Sequence, residues 1–140
     1  MSIEENKALV RRLLDEIWNK VNPSVIDELC ATNFTFNYAA LSGVSNDREG
    51  YKQMAIIWTS GISDIKLALE DLVAEGNKVA VHWEGSCKHT GEFMGVPPTG
   101  KQLTLVGFSI FYVEDGKIVK EWGEMDMMGL MQQLGVVGSG

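Results

Sequence analysis

The stretch Lys117-Ile-Val-Lys-Glu-Trp-Gly-Glu-Met-Asp126, continuing as Met127-Met-Gly-Leu-Met-Gln-Gln-Leu-Gly135, decides how the rest of the chain is read. Its first half is a strand entered from the turn Glu114-Asp-Gly-Lys117. Alternation puts Lys120, Trp122, Glu124 and Asp126 on one face and Val119, Glu121 and Met125 on the other. Two carboxylates and an indole then share a face at a strand end. If other elements enclose that face, Glu124 and Asp126 lose water together, which is how a protein without a cofactor obtains a proton-transfer group. If nothing covers it, both are solvated surface carboxylates.

What precedes this strand supplies the cover. Ser2 and Glu5 have capping-box spacing, and Val10, Leu13, Leu14, Ile17 and Trp18 recur at helical spacing, which predicts an amphipathic helix over about residues 3–19. Asn22-Pro23 reads as an N-cap followed by Pro at the first helical position, opening a short helix that buries Val25, Ile26 and Leu29. Phe34-Thr-Phe-Asn-Tyr38 alternates as a strand, residues 39–46 read as a loop, and Asp47 caps a third helix with Tyr51, Met54, Ala55 and Trp58 on one side. From about Ile62 the chain is nearly all strand. Ile65, Leu67 and Leu69 alternate with polar or small residues. A Glu75–Lys78 hairpin leads into Val79–His89, a Pro97-Pro98 loop spans Gly91–Gly100, and Leu103–Val113 runs back into the opening stretch. Met127–Leu134 closes as a helix ending at Gly135. Helices first and an antiparallel meander after predict an α+β fold, a cone-shaped curved antiparallel sheet covered by N-terminal helices with a central pocket. Gly85, Gly91 and Gly107 allow the long strands to bend. Residues 1–135 make one domain and 136–140 a flexible tail.

Composition limits the function. A net charge of −7 argues against nucleic acid or an anionic membrane surface as partner. The polar start Ser2-Ile-Glu-Glu-Asn-Lys7 lacks the apolar core of a signal peptide, and no apolar run nears the ~20 residues of a membrane helix, so a cytoplasmic protein is expected. Cys30 and Cys87 form no CxxC pair and read as buried thiols, and the Asn33-Phe-Thr35 sequon carries no weight without secretion. His82 and His89 form no ligand-spaced pair, and neither GxGxxG nor GxxxxGK[ST] occurs; no metal, nucleotide or other cofactor is expected.

Several blocks together carry a resemblance. They are Ile17-Trp-Asn-Lys20, Glu49-Gly-Tyr-Lys52, Glu70–Val81, His89-Thr-Gly-Glu-Phe-Met-Gly-Val-Pro-Pro-Thr-Gly-Lys101 and Asp115-Gly-Lys-Ile-Val-Lys-Glu-Trp122 with Asp126. The chain resembles the SnoaL-like polyketide cyclases, or ester cyclases, of the nuclear-transport-factor-two-like superfamily. The resemblance implies an α+β cone with a deep pocket, a homodimer packed sheet to sheet, and cofactor-independent intramolecular aldol ring closure by an aspartate acid/base, a role it carries onto Asp126. One departure is Asn37, which stands where members often have a histidine and which cannot carry a proton.

These readings give Asp126, Glu124 and His89 as catalytic candidates and Asn37, Trp122, Trp18, Tyr51, Trp58 and Phe108 as substrate contacts. Asp126 has a second reading as the N-cap of the last helix, Glu124 as an exposed strand residue, and His89 as a structural histidine. His82 is expected to face outward, the tryptophans to be core by default, and Met125, Met127, Met128 and Met131 to form an adaptable apolar lid or core. The function these candidates fit is cyclisation, or a related isomerisation, dehydration or other lyase-type reaction, of a small apolar carbonyl compound in secondary metabolism. The alternative is a non-catalytic module that binds a small ligand or dimerises.

Overall fold

The computed structural model describes residues 2–38 and 43–137. Helix α1 (Ile3–Leu14) starts at the expected capping box: Ser2 Oγ accepts the Glu5 N–H and Glu5 Oε1 accepts the Ser2 N–H, both at 3.0 Å. The helix does not run unchanged to residue 19. Asp15–Asn19 widens into a π-helical turn, with the Lys20 N–H donating to the Asp15 carbonyl at 3.1 Å. The cause lies outside the helix. The Asn19 side chain accepts from the Leu67 N–H at 2.7 Å and donates to the Leu67 carbonyl at 3.1 Å, and so pins the helix end to a strand.

Helix α2 (Val25–Leu29) begins after a turn at Pro23-Ser24, two residues later than the Asn22-Pro23 signal places it. Asn22 acts through its carbonyl on the Val25 N–H and its side chain accepts from Ser24. Asp47 caps α3 (Arg48–Gly61) through the Gly50 N–H at 2.8 Å, as expected. Of the loop expected at 39–46, residues 39–42 lie outside the described residues; Asn46 accepts from the Phe36 N–H. Of the tail, residues 138–140 likewise lie outside them.

Strands β1 (Cys30–Tyr38), β2 (Ile62–Glu75), β3 (Lys78–His89), β4 (Gln102–Glu114) and β5 (Lys117–Met125) form one curved, unclosed sheet in the order β1-β5-β4-β3-β2. The meander β2–β5 is antiparallel, while β1 pairs parallel with β5. Register shifts bend it at Ser63/Lys66 and Leu69/Asp71 in β2, the first with Asp64 at φ 51°. The tight turn into β5 holds Asp115 and Gly116 at φ 49° and 74°, the left-handed pair a two-residue hairpin needs. Helix α4 (Met127–Leu134) ends at Gly135 in the left-handed conformation. The described helices are all shorter than a membrane span.

Helices α1, α2 and α3 bury Val10, Leu13, Ile26, Leu29 and Tyr51 against the concave face of the sheet, which contributes Phe34, Phe36, Val79, Val81, Phe111 and Ile118. A smaller cluster of Ile62, Phe93, Leu103, Leu130 and Leu134 seals the other end. Between the two lies the cavity.

Candidate active site

A β-bulge decides which side chains of β5 enter the cone. Tyr112 pairs with Lys120 but Val113 pairs with Ile118, so Val119 is an extra residue on β5. Ile118 and Glu121 both turn inward, and Gly123 follows on the same face. Glu121 is 2% exposed.

Three neighbouring elements converge on its carboxyl. Tyr51 from α3 donates to Oε1, Tyr38 from β1 donates to Oε2, and Ser109 from β4 donates to Oε2 at 2.8 Å. The Tyr38 and Ser109 hydroxyls are themselves 2.7 Å apart. Tyr38 reaches this point by crossing Gly123: a Cβ there would lie 2.1 Å from the tyrosine ring. Burial pushes the Glu121 carboxyl above its ordinary range against the opposing pull of the three hydroxyl donors. Burial, reinforced by the nearby carboxyl, raises both tyrosines well above theirs, so they stay protonated donors. Burial and then Glu121 push the neighbouring Cys30 thiol up to about 12, leaving it inert. Among the described residues no ion pair involves Glu121 and no cluster of three His, Cys, Asp or Glu could hold a metal ion.

Glu121, Tyr38 and Tyr51 line a cavity that is otherwise walled almost entirely by apolar groups: Trp18, Trp58, Trp83, Phe93, Met54, Met125, Leu67, Leu103, Leu105 and Leu130 among them. Its volume is about 100 Å³. An apolar cavity of about 150 Å³ takes a benzene ring, so this chamber is somewhat smaller than a single-ring site. Trp58 meets Trp18 and Phe93 edge to face at 6.4 and 4.9 Å, which sets the aromatic part of the wall. The chemistry available is proton exchange between a desolvated carboxyl, two phenols and a ligand held by apolar contact.

The sequence-predicted candidates divide sharply. Trp18, Tyr51 and Trp58 line the cavity. Trp122, Glu124 and Asn37 share a face as their spacing requires, but it is the convex outer face, where all three are exposed. The expectation that Trp122 and Glu124 look into the pocket is corrected: with Gly123 needed under Tyr38, the opposite parity points inward. Phe108 is also outside, 61% exposed and stacked on His82 at 4.7 Å. His82 faces outward, as expected, with Nδ1 3.2 Å from Asp71.

Asp126 is exposed and lies off the cavity wall; its Oδ1 accepts from the Gly129 N–H at 2.9 Å, so the geometry is that of the α4 N-cap. His89 is fully buried at the end of β3 and off the cavity wall too. Its Nδ1 bonds Thr99 Oγ1 at 2.8 Å and accepts from the Thr99 N–H, which orders the loop that carries Phe93. Glu121, Tyr38 and Ser109 escaped sequence reasoning. The one available signal was that Glu121 shares its strand face with Val119, Gly123 and Met125.

A profile of the SnoaL-like polyketide cyclase family matches residues 8–134. Among solved structures, TsrD from Streptomyces laurentii is 29% identical, with a TM-score of 0.80 over 93% of this chain and 97% of that one. IdmH from Streptomyces antibioticus, assigned as a polyketide cyclase, is 27% identical, with a TM-score of 0.81 over 93% and 98%. An LEH-like epoxide hydrolase from M. tuberculosis shares the fold alone, at 12% identity and a TM-score of 0.71 over 94% and 86%. No curated protein matches the chain.

Proposed function

The chain belongs to the SnoaL-like polyketide cyclase family, and from that premise we propose that it is a cofactor-free acid–base enzyme acting on an apolar carbonyl compound, with Glu121 as its proton-transfer group. The observation that carries this reading is a buried carboxyl, with no ion-pair partner among the described residues, at the wall of an apolar cavity. Burial of that kind costs stability unless hydrogen bonds compensate it, and it raises a carboxyl above its ordinary range, as catalytic acids and bases often are.

In an intramolecular aldol closure, the enol carbon of the substrate attacks a carbonyl carbon of the same molecule. One C–C bond forms, the attacked C=O becomes C–OH, and the enol O–H becomes C=O. The proton that leaves the enol oxygen balances the one that arrives at the new hydroxyl. Glu121 passes these protons directly or through the Tyr38 and Tyr51 hydroxyls, which line the cavity beside it. Isomerisation and dehydration of the same class of compound use the same parts. The aromatic wall of Trp18, Trp58 and Phe93 suits a flat ring system.

Deuterium exchange next to the carbonyl of an aryl ketone such as 1-tetralone tests the reading without knowledge of the natural substrate. The wild type is expected to accelerate the exchange, and Glu121→Gln to lose roughly 100-fold or more of it. Full exchange in the mutant would remove Glu121 from the chemistry. Saturable binding of 1-tetralone with no exchange in the wild type would favour the non-catalytic ligand-binding module.

A further inference from the structure

Counting protons in the buried cluster fixes the state in which it waits. Four close oxygen–oxygen contacts are present: Tyr51 with Oε1, Tyr38 with Oε2, Ser109 with Oε2, and Tyr38 with Ser109. The last three close a triangle. Each hydroxyl brings one proton, and an ionised carboxylate brings none. Ionised, the cluster has three protons for four contacts, and one side of the triangle sets lone pair against lone pair. With one more proton on Oε2, every contact is filled. Oε2–H donates to Tyr38, the reverse of that contact's sense beside an ionised carboxylate, Tyr38 donates to Ser109, Ser109 donates back to Oε2, and Tyr51 donates to Oε1.

We infer that Glu121 rests as the neutral acid, and that Ser109 is the positioning residue that keeps it so by closing the triangle. The charged groups around the cluster do not oppose this. Among the described residues, Arg48, Lys117 and Asp27 act on Cys30 at the far end of β1, and none of them bonds to Glu121. Tyr51 and Tyr38 are themselves neutral, and Cys30, the other titratable group nearby, is a neutral thiol. The inference deepens the acid–base reading of the same site by giving its first move. The cluster starts by donating to an oxygen of the ligand, and it accepts a proton only afterwards.

The consequence for Ser109 runs opposite to the usual rule. Deleting a hydroxyl that donates to a carboxylate ordinarily favours the protonated form. Here Ser109→Ala removes two contacts and one proton. Two hydroxyls then face two contacts, which the ionised carboxylate satisfies in full, so the mutation should favour ionisation.

The test is a pH titration of the free protein carrying glutamate labelled with ¹³C at the carboxyl, followed by NMR, with Glu121→Gln to assign the signal. In the wild type the Glu121 signal should keep its acid-form position at a pH where the surface glutamates have moved to the carboxylate position. In Ser109→Ala it should titrate at lower pH than in the wild type, toward the surface glutamates, and Ser109→Thr should restore the wild-type behaviour. A Glu121 signal that titrates with the surface glutamates in the wild type would overturn the inference. So would a Ser109→Ala midpoint at or above that of the wild type. Because no substrate is involved, these results are separable from the ketone assay: an ionised Glu121 with intact exchange would leave it an acid–base residue that begins as the base.

Discussion

At the scale of single residues, the distribution of carboxylates is also a distribution of pH dependence. Glu121 is held above its ordinary value of 4.5 by burial. It therefore binds its proton more tightly folded than unfolded, and its contribution to stability is fully present below that ordinary value and is lost as pH rises through the raised, folded one. Asp47, Glu5 and Glu16 run the other way. Hydrogen bonds from the Gly50 N–H, from Ser2 and from Arg12 respectively lower them, so their stabilisation is lost as pH falls. Comparing wild type with Glu121→Gln cancels the second group. Urea midpoints measured from pH 4 upward should fall in the wild type relative to the mutant as pH increases; parallel curves would mean that Glu121 titrates normally. Asp126 has a different signature. As an N-cap it should lose about 1 kcal/mol of stability on mutation to Ala, with ketone exchange unchanged, and a Glu121-like loss of exchange in Asp126→Ala would return it to the chemistry.

At the scale of elements, the deciding event is the insertion of Val119 in β5. Helix caps at Ser2 and Asp47, the left-handed stop at Gly135 and the Asp115-Gly116 turn were legible because each is a contract between residues a few positions apart. The parity of β5 was legible too: Trp122 and Glu124 do share a face. Which face is inside was not, because that depends on Tyr38 and Ser109, brought alongside from 83 and 12 positions away in the chain to meet Glu121. A bulge inside Ile118-Val-Lys leaves no mark in the residue types, since an apolar pair fits either parity. Gly123 is where this arrangement can be broken without removing a polar group. Adding a methyl there sets a Cβ 2.1 Å from the Tyr38 ring and 2.5 Å from its hydroxyl oxygen. Gly123→Ala should cost about 1–3 kcal/mol from overpacking and should lower exchange at least as far as Tyr38→Phe does. A mutant with wild-type melting and full exchange would show that Tyr38 need not lie over Gly123.

At the scale of the whole molecule, the concave face is filled and the convex face is not. Phe108, Trp122 and Ile110 are 61%, 50% and 40% exposed, Ile110 is paired directly with Trp122, and His82 of β3 stacks on Phe108, so the patch crosses three adjacent strands. Contiguous apolar area of this kind on a sheet is normally covered. We propose a second copy of the chain as its cover, in line with the sheet-to-sheet homodimer that the family resemblance implies. The charges on the patch suit that partner. Lys120 sits over the Trp122 ring at 5.6 Å, and Glu124 lies beyond Trp122 on the same face of β5. A two-fold axis passing near Trp122 brings Lys120 of each copy toward Glu124 of the other, whereas an unrelated acidic or basic partner would meet one of the two as a like charge. Light scattering at micromolar concentration should therefore give twice the chain mass of 15.4 kDa. Phe108→Asp should give the single-chain mass with the circular dichroism of the folded protein retained, because its side chain touches the outside of the sheet and not the core. A wild-type protein of single-chain mass at that concentration would reject the second copy, and a Phe108→Asp variant that stays at twice the chain mass would place the contact elsewhere.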